Sequence, residues 1–170
     1  YQATPETKDV LSEESAYVTL KLLEGVTEAG SGIRIRHVGA DKTNPIFRDI
    51  VTGYPYAFQN PIAGKTGTTQ NQSDGWFIGM VPNLATGVWV GGEDRATHFE
   101  TITYGQGATM ALPIWASYMN ACYADSTLVV SQEPFEAPSF VSIPLDCDSL
   151  SLARQQKSFF KDEDLSDLGF

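Results

Sequence analysis

The sequence predicts a mixed α/β fold in which an antiparallel sheet is flanked by a leading and a closing helix. Three observations point to it. Apolar residues recur at helical spacing near residues 10–30 and 111–123. Three short apolar segments lie between them, separated by turn chemistry. The composition is that of a globular chain, with 42% apolar, 11% aromatic and 19% charged residues in 170. That balance excludes extended disorder, and the length can bury a real core. The net charge of -10, from 21 acidic against 11 basic side chains, argues against nucleic acid as a partner, and no basic cluster exceeds Arg34 to Arg36. No apolar run approaches the roughly 18 residues of a bilayer span. Residues 1–9 are polar and carry no export signal, so any such address is expected outside this chain.

The leading helix is predicted over residues 10–30. Ser12 can cap it, Glu13 and Glu14 suit the positive end of its dipole, and Ala16, Leu20, Leu23 and Val26 form its apolar spacing. Gly30 and Gly32 stop it. Residues 33–60 carry Gly39, Pro45, Gly53 and Pro55, together with Arg34, Arg36, Lys42 and Arg48, and read as a surface excursion rather than core. Strands come next at 61–69, 76–81 and 86–91, joined by the polar loop 70–75 and by Pro82-Asn83-Leu84-Ala85. The closing helix at 111–123 tolerates Pro113 in its first turn, and Ile114, Trp115, Tyr118, Met119 and Cys122 form its expected apolar stripe. Trp76 and Trp89 are expected in the core with Trp115. Prolines 134, 138 and 144 suggest an extended arm, and residues 151–170 a polar tail.

The strongest local signal is Gly64-Lys65-Thr66-Gly67-Thr68-Thr69. A phosphate-cradling loop would need glycine where Gln59 stands, a strand before the motif and a helix directly after it, and the chain has none of these. The other reading is the edge of an acyl-transfer site that recognises a carboxylate. Strand alternation places the Thr66 and Thr68 hydroxyls on one side, and Gly67 leaves room for close backbone approach. Lys65 is the only cation between Asp49 and Asp94. Its ammonium would set a positive potential there, while the Thr68 N–H could face a developing oxyanion.

The flanking residues carry a resemblance. Asp74-Gly75-Trp76-Phe77-Ile78-Gly79-Met80-Val81-Pro82-Asn83-Leu84, then Thr86-Gly87-Val88-Trp89-Val90-Gly91, resembles the stretch after Lys-Thr-Gly in class A penicillin-binding proteins of the 1A type. Upstream Gly30-Ser31-Gly32 is similar to the family's Gly-Thr-Gly turn. Downstream Gly105-Gln106-Gly107-Ala108 through Leu112-Pro113-Ile114-Trp115 is similar to its closing helix. The resemblance implies a β-lactamase/transpeptidase-like fold, of which residues 1–123 would be the C-terminal portion and 124–170 an extended arm and tail. It implies a D-alanyl-D-alanine transpeptidase that acts on peptidoglycan stem peptides, is acylated by β-lactam antibiotics and works at the periplasmic face of the membrane. Lys65 and Thr68 would be catalytic, and Thr66, Gly67, Thr68 and Thr69 would bind substrate.

The family's Ser-x-x-Lys and Ser-x-Asn motifs do not occur upstream of Lys65. Ser158-Phe159-Phe160-Lys161 and Tyr118-Met119-Asn120 imitate such motifs but come after the strand, in the wrong order. The serine nucleophile is therefore expected from outside this chain, and the isolated chain is expected to be inactive. A lone piece leaves sheet surface uncovered, so an N-terminal part of the same protein, or self-association, is expected to cover it. A peptidoglycan-binding module without chemistry and a β-lactamase fragment are the competing readings. No cofactor or metal is expected, since Cys122, Cys147, His37 and His98 match no zinc-ligand spacing. His98, Glu93 and Asp94 read as solvent-facing, and Asp74 as a residue that fixes a loop.

Overall fold

The structure is a computed structural model that describes residues 8–36, 56–146 and 151. The chain divides into two units, residues 1–19 with 137–170, and residues 20–136. The boundary falls inside the first helix, α1 (Glu13–Glu28). In the first unit the cap forms as its chemistry suggests, the Ser15 N–H donating to Ser12 Oγ at 3.2 Å. Glu14 accepts from both the hydroxyl and the N–H of Ser142 at 2.6 Å each, and these bonds hold its carboxyl below the ordinary value.

The second unit holds the sheet. Strands β1 (Ala63–Thr68), β2 (Asp74–Val81) and β3 (Leu84–Gly91) pair antiparallel in the order β1-β2-β3. Both outer segments behave as expected from their turn chemistry, although β3 begins at Leu84 and reduces the second connection to Pro82-Asn83. Asn71 and Gln72, at φ of 63° and 52°, turn the first connection through the left-handed region.

A one-turn α2 (Ile102–Gly105) leads into α3 (Gly107–Ala124), which packs on one face of the sheet. Residues opposite one another across antiparallel strands share a face. The register therefore sets Gly64, Thr66 and Thr68 with Gly79, Phe77 and Gly75 on the α3 side. Trp115 stacks edge-on against Phe77, ring centroids 5.1 Å apart, and its Nε1 donates to Thr86 Oγ1 at 2.7 Å. Gly79 makes room for that ring, because a Cβ there would lie 2.3 Å from it.

The helix departs from expectation in two ways. It starts at Gly107, so Pro113 sits in its second turn rather than its first. Its buried stripe is Ala108, Ala111, Leu112, Trp115, Met119 and Cys122, while Ile114 and Tyr118 are about half exposed. Ala108, Ala111 and Leu112 carry the stripe back toward the helix start, and Ile114 and Tyr118, each one position before Trp115 and Met119, fall about 100° off it.

The segment expected to be a surface excursion is corrected where it is described. Ile35 is wholly buried, and Tyr56 and Phe58 join the same core, Phe58 meeting Trp115 edge-on. The basic residues and prolines that suggest solvent do not prevent the interleaved apolar side chains from turning inward. Residues 37–55 lie outside the described residues.

Trp76 and Trp89 also depart from expectation. They pair across β2 and β3 on the face opposite α3, centroids 6.3 Å apart, and are 43% and 47% exposed beside Ile78 at 48%. Alternation correctly places them together, and α3 covers the other face. Residues 125–146 contain no helix or strand. Their first part returns to the sheet, where the Asn83 side chain donates to Val129 O and accepts from the Ser131 N–H at 2.8 Å.

Candidate functional site

Strand β1 is an edge strand among the described residues, with β2 on one side only. Its position is set before it begins. Thr27, fully buried on α1, donates its hydroxyl to Ile62 O at 2.6 Å. Arg36 donates to the carbonyls of Phe58 and Asn60 at 3.0 and 2.7 Å and to Thr27 Oγ1 at 3.0 Å. Burial lowers the pKa of this guanidinium, while Glu28 and Glu24 oppose the change. The group stays charged and ties the chain entering β1 to the end of α1.

Its far end is held by a buried carboxylate. Asp74 is 8% exposed; its Oδ2 accepts from the hydroxyls of Thr69 at 3.2 Å and Ser73 at 3.4 Å, and its Oδ1 from Trp89 Nε1 at 3.2 Å. The backbone closes the same turn, the Thr69 N–H donating to Asp74 O at 3.1 Å and the Asp74 N–H to Thr69 Oγ1 at 2.9 Å. A carboxylate buried with this many donors is satisfied where it stands.

Between these anchors the motif residues take two faces. Lys65 and Gly67 lie on the Trp76 face, and Thr66 and Thr68 on the α3 face. Lys65 is exposed and its ammonium donates to Thr66 O at 2.8 Å, along the strand. The Thr66 hydroxyl meets Ser31 Oγ at 2.6 Å. Thr68 Oγ1 accepts from the Gly107 N–H, the first amide of α3, at 3.0 Å. Gly107 has to be glycine for this approach, because a Cβ would sit 2.3 Å from Gly67 O and 2.4 Å from Trp76 O. The structure thus joins Lys65, Thr66, Gly67 and Thr68 in one strand edge. Thr69 lies past the strand end, with its hydroxyl engaged in the Asp74 turn.

Sequence pattern alone does not mark Ser31, Gly107 or the Thr27–Arg36 knot as parts of the site. The glycines flanking Ser31 are legible as stop signals, but the partners of Ser31 and Gly107 across the fold are not. The other expected candidates stay apart from β1. His98 is exposed, its Nδ1 3.1 Å from Phe99 O. Met119 of Tyr118-Met119-Asn120 points into the core. Cys122 is a buried free thiol. His37, Cys147 and Ser158 to Lys161 lie outside the described residues. Among the described residues no group of three His, Cys, Asp or Glu could hold a metal, and no helix is long and apolar enough to cross a membrane.

Chemically, the edge offers backbone groups that no strand pairs among the described residues, two hydroxyls on one face, one ammonium and a glycine at its centre. That set suits an extended peptide ending in an anion.

No family model matches the chain. Individual proteins do. The chain is 31% identical over 147 residues, 86% of its length, to penicillin-binding protein 1A of Pseudomonas aeruginosa. It is 40% identical over 77 residues to penicillin-binding protein 1A of Aquifex aeolicus, and 29% identical over 119 residues to penicillin-binding protein 1B of Buchnera aphidicola. These stretches cover 45% and 70% of the chain. The chain spans 15%, 10% and 13% of the lengths of these three relatives.

Proposed function

The chain belongs to the class A penicillin-binding proteins, and from that membership we propose that it is the substrate-docking part of a serine D-alanyl-D-alanine transpeptidase of peptidoglycan synthesis. The observation that carries this reading is the edge of β1, with Thr66 and Thr68 on one face and Lys65, next along the strand, on the other. A stem peptide lies along residues 65–69 as an added strand, and its terminal carboxylate is taken by the two threonine hydroxyls. Lys65 supplies positive potential beside the reacting carbonyl, and the Thr68 N–H faces the oxyanion. The serine nucleophile belongs to the rest of the protein, and this segment alone is not acylated. The acyl-enzyme forms there with loss of the terminal D-alanine, and an amine of a neighbouring stem peptide resolves it. Residues 1–123 are assigned to the transpeptidase domain and 124–170 to an arm. The full-length protein works at the periplasmic face of the membrane, and β-lactams acylate it as substrate mimics.

The test is Thr66→Val in the full-length gene product. Its volume is nearly unchanged, but one donor to the carboxylate is lost. A labelled penicillin is expected to acylate the variant about ten- to a hundredfold less efficiently, the loss of one hydrogen bond to a charged group. Acylation kinetics equal to wild type would remove Thr66 from the carboxylate site.

A further inference from the structure

A hydroxyl has one proton and two lone pairs, whereas a carboxylate only accepts. A threonine that serves a carboxylate must give its proton to the ligand, so any partner behind it has to be a donor. Thr68 meets this condition without ambiguity, since its neighbour is the Gly107 N–H at 3.0 Å, which can only donate. Thr66 lies on the same face, and the group behind it is Ser31 Oγ at 2.6 Å. We propose that Ser31 is a positioning residue that donates to Thr66 and so directs the Thr66 proton outward to an anionic ligand.

The proposal rests on the reading of β1 as a carboxylate-docking edge and names a residue outside the motif. Ser31 is exposed, but the backbone that presents it is fixed. The Gly32 N–H donates to Val26 O at 2.9 Å and the Ile33 N–H to Gly30 O at 3.1 Å. Gly30 and Gly32 lie tight on the end of α1, where a Cβ would meet Val26 atoms at 2.9 and 3.2 Å. A few residues on, Ile35 is fully buried, and Arg36 is held by the carbonyls that precede β1. Ser31 and Thr66 are therefore held by the same knot, which keeps the two hydroxyls in register. Donation from Ser31 also polarises the Thr66 O–H and strengthens its bond to an anion.

The experiment uses the full-length gene product and penicillin G over a concentration series that separates the binding constant from the acylation rate constant. Ser31→Ala is expected to weaken binding about fivefold with the rate constant unchanged, the size of one hydrogen bond. Ser31→Thr, which keeps the hydroxyl, restores binding to within about twofold. In a Thr66→Val background Ser31→Ala has no further effect, because the hydroxyl it orients is gone. Wild-type binding in Ser31→Ala, or an equal loss in the Thr66→Val background, overturns the role of Ser31 and leaves the docking reading standing. Failure of the wild-type protein to react with penicillin at all overturns both.

Discussion

Trp115→Ala is expected to destabilise the fold by about 3–5 kcal/mol, the range for emptying a large aromatic site in a core. Trp115 is fully buried, packs edge-on against Phe77 and Phe58, and fills the space above Gly79. The gain in helix propensity on going to alanine offsets only about 0.5 kcal/mol. Against a total stability of about 5–15 kcal/mol for a domain, the loss is a large fraction. The shift of the urea midpoint, tracked by far-ultraviolet circular dichroism of the 170-residue chain, measures it. A change below about 1 kcal/mol would mean that α3 does not carry the sheet through this residue.

Lys65→Ala has the opposite profile. Lys65 is exposed, and its one hydrogen bond runs along its own strand, so stability changes by no more than about 0.5 kcal/mol. Acylation of the full-length protein by penicillin is expected to fall about 10²–10³-fold, the cost of removing a group aimed at charge that develops in the transition state. Lys65→Arg restores charge but replaces a compact ammonium with a planar fork, so it recovers only part of the rate. Retention of more than about a tenth of the wild-type rate by Lys65→Ala, in a protein with unchanged unfolding, assigns the ammonium no part in the chemistry.

The strands are legible because each apolar segment is bracketed by residues that turn the chain, and the shared face of Thr66 and Thr68 comes from alternation alone. What alternation cannot say is which face a helix will cover. Trp76 and Trp89 therefore read as core, although the register puts them together on the uncovered side. The helix start at Gly107 escapes a reading by propensity, because glycine at a helix entrance carries little of it. Its reason lies in the approach to Gly67 and Trp76, a contact from a distant part of the chain. The same holds for Arg36, Thr27 and Ser31. Arg36 reads as part of a surface excursion, and neither Thr27 nor Ser31 reads as a site residue, until the carbonyls and hydroxyls they meet are known.

The division of the three indoles between two sides of one sheet has a spectroscopic consequence. Trp115 is shielded and hydrogen-bonded to Thr86, whereas Trp76 and Trp89 are open to solvent by nearly half. Acrylamide, neutral and so indifferent to the net charge of -10, reaches the second pair and not the first. Quenchable emission therefore reports what happens on the outer face of the sheet, and unquenched emission reports the integrity of the core. A ligand or partner that lands on the Trp76 face changes one signal and leaves the other in place, so occupancy and unfolding can be read separately in a single cuvette.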